Sequence, residues 1–264
     1  MNILVTNDDG INSPGLWALA DALQHIGKVL VVAPEKQQSG TGTGVSFNSD
    51  GVSINNVSFP VEGIQAYAVG GTPSDCVILG LRYITKEHID LIASGINLGP
   101  NLGHDIPYSG TVMATLGGYF RKIPSMAVSL ATHDKNESPR YDVAAQFAAD
   151  VAKTIKSGEI DTSAIININV PNLPAEAIKG VKATRTADFG YVRLSHLSGT
   201  EKKARYETMT RKLDEIEFEP GTDAWAIKHG YISVTPVRLD VTHHDLIPAI
   251  EEGIAGLHRR YPGI

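Results

Sequence analysis

The sequence predicts an α/β fold: a Rossmann-like, doubly wound, mostly parallel sheet with a C-terminal antiparallel extension. Three observations predict it. Apolar runs of strand length alternate with segments of helical periodicity. Glycine and polar clusters follow several of those runs, and beyond Val181 the pattern changes to short strand-like stretches divided by charged ones. The length of 264 residues suits one α/β unit with an appendage, read here as a core at 1–180 and an extension at 181–264.

Asn2 to Thr6 reads as a buried strand that stops at Asn7-Asp8-Asp9-Gly10. Ser13-Pro14 then opens a helix carrying Leu16, Leu19, Leu23 and Ile26, with Gly27 as its stop, and Lys28 to Ala33 is a second strand. Strand, helix and strand in that order define a right-handed βαβ unit. A polar, glycine-rich stretch from Glu35 to Gly44 precedes two short strands, Val52 to Ser58 and Ala66 to Val69. Thr72-Pro73 caps a helix through Val77, Leu81 and Ile84; Ile89 to Ala93 is the next core strand, followed by a long loop from Ser94 to Gly110. One helix is expected from Thr111 to about Phe120, then a strand from Ser125 to Ala131. Val143, Phe147, Val151 and Ile155 recur every four residues, the apolar stripe of an amphipathic helix, and Ala164 to Val170 closes the core as a strand. In the extension, Tyr191 to Leu194, Ala204 to Met209 and Tyr231 to Val237 read as strands and Asp245 to His258 as a helix.

Composition excludes several functions. With 23 Lys and Arg against 29 Asp and Glu the net charge is −6, which disfavours nucleic acid and anionic membranes as partners. Cys76 is the one cysteine, so no internal disulfide can form; the N-terminal segment lacks the pattern of a secretory leader, and no apolar run is long enough to span a bilayer. A cytoplasmic protein is expected. No Walker A, GxGxxG or HExxH pattern occurs where nucleoside triphosphate, dinucleotide or zinc-peptidase chemistry would need it.

In an open parallel sheet, ligands bind beyond the carboxyl ends of the strands. Four clusters fall there: Asp8-Asp9, the Gln37–Gly42 segment with Ser39, the Ser94–Asn97 segment, and Ser109-Gly110-Thr111. Adjacent carboxylates repel, which raises one pKa or calls for a cation. The Ser39 hydroxyl and the Asn97 amide oxygen are hard donors, so Mg²⁺ or Mn²⁺ suits the set better than zinc. A solvated turn at Asp8-Asp9-Gly10 is the alternative. Ser109-Gly110-Thr111 reads either as an N-cap with a tight turn or as a cradle of N–H and hydroxyl donors for a phosphoryl group. Asn101 is a candidate for the phosphate oxygens or an attacking water, or else a turn asparagine; His104, in the same loop, is functional or simply exposed.

The combined motifs resemble the SurE family, the survival-protein 5′/3′-nucleotidases. The residues that carry the resemblance are Asn7-Asp8-Asp9-Gly10 with Pro14-Gly15, Ala33-Pro34 with Gln38-Ser39-Gly40, and Gly70 to Val77. Ser94-Gly95-Ile96-Asn97, Gly99 to Gly103, Tyr108 to Val112, Asn169-Val170-Pro171, Gly221-Thr222-Asp223 and Ser233 to Pro236 extend it almost to the C-terminus. The resemblance implies a phosphomonoesterase acting on nucleoside 5′- and 3′-monophosphates, with one divalent ion, Mg²⁺ or Mn²⁺, held by Asp8, Asp9, Ser39 and Asn97. It also implies a homodimer or homotetramer that exchanges C-terminal segments. The chain departs from the family pattern at His104, where many members are acidic, and near Gly117, where many carry glutamate. Direct attack of water is expected, with Asp8 or Asp9 taking its proton and Asn101, Ser109, Gly110 and Thr111 meeting the phosphoryl charge. Three rivals are weighed against it: an aspartyl-phosphate enzyme, whose acids are spaced differently, a phosphoreceiver module, and a nucleotide sensor without turnover.

Overall fold

A computed structural model of the chain describes residues 1–46, 50–132, 137–160, 162–190, 195–200, 203–208, 216–255 and 257. Its strands are β1 (Asn2–Thr6), β2 (Lys28–Pro34), β3 (Ile54–Val57), β4 (Gln65–Val69), β5 (Leu91–Leu98), β6 (Ser125–Ala131), β7 (Ile165–Pro171), β8 (Val181–Ala183), β9 (Ser195–Thr200), β10 (Lys203–Thr208) and β11 (Ile232–Val237). The α-helices are α1 (Pro14–Gln24), α2 (Pro73–Leu79), α3 (Gly110–Ala114), α4 (Leu116–Tyr119), α5 (Tyr141–Ser157), α6 (Asp223–Lys228) and α7 (Ile247–Ile254).

Alternation along β1 explains the layers. Ile3 and Val5 face one side, where Leu16, Leu19 and Leu23 of α1 and Ala144, Ala148, Val151 and Ile155 of α5 pack with Ile166, Ile168 and Val170 of β7. Leu4 faces the other side, where it packs with Val32 and Ile92 beneath Cys76 and Val77 of α2. The strand order is β3-β4-β2-β1-β5-β6-β7-β11-β8. Pairings from β4 through β7 are parallel, while β3 joins β4 and β11 joins β7 antiparallel. The chain starts in the middle, builds outward through β2 and β4, then crosses back to place β5 on the far side of β1. That reversal is the switch point of a doubly wound sheet, and the crevice outside it is where such folds take ligands. The antiparallel character expected of the extension is present where β11 joins β7, although the edge strand β8 outside it runs parallel to β11; β9 and β10 form a separate antiparallel pair.

Four expectations are corrected. The strand expected to end at Ala93 runs to Leu98, with a register shift against β6 between Ser94 and Asn97. Helix α2 stops at Leu79 and passes into a π-type turn over Gly80–Ile84. The single helix expected after Thr111 is two short ones, because the Thr115 hydroxyl donates back to the Val112 carbonyl (2.6 Å) and the Thr115 N–H bonds the same carbonyl (3.2 Å), tightening the turn. At the C-terminus the helix expected from Asp245 begins instead at Ile247, Asp245 lying in a 3₁₀ turn ahead of α7. The strand expected at residues 191–194 lies outside the described residues, as does His258.

Candidate active site

β1 ends at Thr6 and the chain turns at once. The Asn7 side chain closes the turn, donating to the Gly10 carbonyl (3.0 Å) and accepting from the Gly10 N–H (3.2 Å), with Gly10 at φ +98°. This presents Asp8 and Asp9 at the carboxyl end of the central strand. Asp8 is only 4% exposed. The Thr111 hydroxyl donates to its Oδ1, and the start of α3 lies so close that a Cβ on Gly110 would meet Asp8 Cβ at 2.7 Å and Oδ2 at 2.9 Å. Glycine at 110 is therefore required by the approach of Asp8.

The loop after β2 docks on the same turn through Gln38, whose N–H donates to the Asp8 carbonyl (2.7 Å). One side-chain nitrogen of Gln37 donates both to Asp9 Oδ1 (3.3 Å) and to Ser39 Oγ (2.9 Å), which brings Ser39 beside Asp9. The end of β5 closes the third side, with the Leu98 N–H directed at Asp9 Oδ2 (3.4 Å). Asn97, one residue earlier, donates its Nδ2 to the Gly99 carbonyl (2.8 Å), so its Oδ1 is the amide atom left for another partner. Asp8, Asp9, Ser39 and Asn97 thus lie at one rim, in the turn after β1, the loop after β2 and the end of β5.

Electrostatics sharpen this picture. Burial pushes the Asp8 carboxyl up to about 6, the charge of Asp9 adding to the effect and the Thr111 hydrogen bond opposing it. Burial also raises Asp9, against the Leu98 N–H and the Gln37 amide. The Tyr141 phenol, at the start of α5, is raised by burial and then by the charge of Asp9. Among the described residues no lysine or arginine pairs with either acid. Two carboxylates without a cationic side chain, beside a hydroxyl and an oriented amide oxygen, fit a hard divalent ion. Among the described residues no group of three or more His, Cys, Asp or Glu forms a rival metal cluster.

Ser109 caps α3, its Oγ accepting from the Val112 N–H (3.1 Å). Both the hydroxyl and the N–H of Thr111 are directed at Asp8, so this residue holds the carboxylate. Asn101 is buried in the loop after β5, bonded to Ser129, Asn167 and Asn169. His104 stands apart, exposed, with Nε2 3.3 Å from Asp188 Oδ1. Gln37 and Tyr141 were not singled out from sequence. Gln37 carries a signal, an amide two residues before Ser39 in the same loop; Tyr141 carries none, since only the tertiary structure brings the start of α5 to this rim.

Fold and rim together define a doubly wound α/β protein with an oxygen-rich acidic site at its switch point. The family model described as "Survival protein SurE" matches residues 3–193, and the chain belongs to the SurE family. The 5′-nucleotidase SurE of Dehalococcoides mccartyi (strain CBDB1) is 43% identical over 238 residues, covering 90% of this chain and 89% of that protein. The 5′-nucleotidase SurE of Moorella thermoacetica is 39% identical over 246 residues, 92% of each chain. The crystal structure of the SurE protein from Aquifex aeolicus superposes with a TM-score of 0.80 at 35% identity, covering 96% of this chain and 99% of that one.

Proposed function

We propose that the chain is a divalent-metal-dependent nucleotidase that hydrolyses nucleoside 5′-monophosphates, and 3′-monophosphates at the same site, to nucleoside and phosphate. The observation that carries the reading is the adjacent acid pair of buried Asp8 and half-buried Asp9, without a cationic side chain among the described residues and flanked by Ser39 and the free Oδ1 of Asn97. These four residues would hold one Mg²⁺ or Mn²⁺. When bound, such an ion supplies Lewis-acid charge to the phosphoryl group and acidifies water at the site.

The chain's own groups do the rest. Thr111 and the α3 backbone fix Asp8 against the strand end, while Gln37 and the Leu98 N–H fix Asp9. The Gly110 N–H and the Ser109 hydroxyl proton remain as donors for the equatorial phosphoryl oxygens. Nδ2 of Asn101 is spent on Ser129 (2.8 Å), which leaves Oδ1 to accept a hydrogen bond from the attacking water and orient it. A carboxylate oxygen of Asp8 or Asp9 takes the one proton that the water gives up on attack, which then passes to the departing nucleoside oxygen. Residues 181–264 act as an assembly region: Ile247, Ile250 and Ile254 leave an apolar stripe 42%, 60% and 42% exposed along α7, which supports a homodimer or homotetramer with exchanged C-terminal segments.

Phosphate release from 5′- and 3′-nucleotides of all four bases, with Mg²⁺, Mn²⁺ or EDTA, tests the reading. Release that requires the metal is the expected result. Release that EDTA leaves unchanged would overturn the metal site, and none from any nucleotide would overturn the activity.

A further inference from the structure

β7 reads Ile165-Ile166-Asn167-Ile168-Asn169-Val170, and its two asparagines are fully buried in the middle of the sheet. Interior strands of mostly parallel sheets are ordinarily apolar on both faces, and a buried amide without partners costs roughly 2 kcal/mol or more. Here the alternation is strict: Ile166, Ile168 and Val170 pack with α1 and α5, while Asn167 and Asn169 occupy the opposite face, Asn169 in register with Ser129 of β6 and Asn167 with Ala127.

Asn167, Asn169 and Ser129 all reach one residue. Asn169 accepts the Asn101 N–H on its Oδ1 (2.8 Å) and returns its Nδ2 to the Asn101 carbonyl (3.0 Å). Asn167 donates a second hydrogen bond to that carbonyl (2.9 Å), and Ser129 accepts Nδ2 of Asn101 (2.8 Å). Both backbone polar groups and one end of the side-chain amide are therefore held from the sheet beneath. Asn169 copies the donor and acceptor pair of a β-ladder, which neither aspartate nor serine can supply at that length. The clamp also carries a cost, because Asn167 Oδ1 is buried with no hydrogen-bond partner among the described residues. The loop needs such a hold: Asn101 sits between Gly99 at φ +122° and Gly103 at φ +49°, with no ladder of its own.

We propose that Asn169, Asn167 and Ser129 are positioning residues that clamp Asn101, setting both its place and which end of its amide is presented. This rests on the role given to Asn101 above. The test is a kinetic double-mutant cycle on the metal-loaded enzyme, combined with hydrogen exchange of the peptide spanning 99–103. Asn169→Ala is expected to lower kcat by up to about 100-fold, the scale of a misplaced reacting group. Its KM and Mn²⁺ affinity should stay within about twofold, since the loss falls on the transition state. In the Asn101→Ala background the same substitution should cost nothing further, and exchange at 99–103 should rise well above that of β6 and β7.

Unchanged kcat for Asn169→Ala, or an equal loss on top of Asn101→Ala, overturns the clamp, as does unchanged exchange at 99–103. Should Asn169→Ala not fold, Ser129→Ala, which removes one oxygen, goes through the same cycle with the same criteria. Full activity in Asn101→Ala overturns the clamp at its premise while leaving the nucleotidase reading intact. Absent turnover in the wild type overturns that reading instead, and exchange at 99–103 then decides whether the clamp exists.

Discussion

At Asp8 two demands conflict: burial favours the neutral acid, whereas a cation site needs the anion. Thr111 eases the conflict by directing its hydroxyl and N–H at the carboxylate. Thr111→Val keeps the shape and removes the hydroxyl, and it should lower activity or metal affinity by about 10–100-fold, the usual effect of losing a ligand's supporting hydrogen bond. A Mn²⁺ titration of activity checks this. Asp9→Asn should cost roughly 10²-fold or more in kcat at saturating Mn²⁺, by removing fixed charge from the site. Its circular dichroism should match the wild type, because Asp9 lies on the rim; full activity would refute its role as a ligand. These acids were legible in the sequence because they follow a buried strand directly. The partner of Asp8, 103 positions further along, was legible only as a separate motif.

Among the elements, β5 departs furthest from its sequence reading. Ser94-Gly95 looks like the end of a strand, since glycine weakens strands and marks loops. The strand instead continues, because Gly95 at φ +137° lets the backbone pass against the Val128 carbonyl of β6, where a Cβ would collide. This extension carries Asn97 to the rim. Gly95→Ala should therefore cost about 1–3 kcal/mol or more through overpacking, read as a lower midpoint in urea. Helix α5 shows the opposite case. Its apolar stripe predicted a helix through Val143–Ile155, and Tyr141–Ser157 forms, closed by Gly158 in the left-handed conformation at φ +79°.

For the whole molecule, Asp223 joins the C-terminal region to the active-site loop. Fully buried at the start of α6, its carboxylate accepts the N–H groups of Gly103 (2.9 Å), Ala187 (2.9 Å) and Ala224 (2.8 Å). Burial nevertheless holds its pKa above the ordinary value of 3.8, against those three hydrogen bonds. The folded state then binds this proton more tightly than the unfolded chain. The contribution of Asp223 to stability is thus greatest at low pH and declines as pH rises from the ordinary value through the raised one. Asp223→Asn should remove that component from the pH profile of the melting temperature. It should also cost about 1–3 kcal/mol, since its NH₂ would face an N–H that has lost its acceptor. In the same region, Ile250→Asp on exposed α7 should shift the proposed oligomer toward monomer in light scattering; an unchanged mass would show that α7 is not the contact.

Apolar periodicity and the residues just beyond each strand were enough to predict the α/β class, the order of the core elements and the four clusters at the rim. Such signals are local: burial imposes a period of two or 3.6, and a turn needs particular residues within a few positions. The pairing of Thr111 with Asp8, the Gln37 bridge from Asp9 to Ser39, the extension of β5 and the asparagine clamp beneath Asn101 came only with the tertiary structure. Each joins residues on different elements through hydrogen bonds or close backbone approach, and those depend on register and crossover geometry, which no periodicity along the chain encodes.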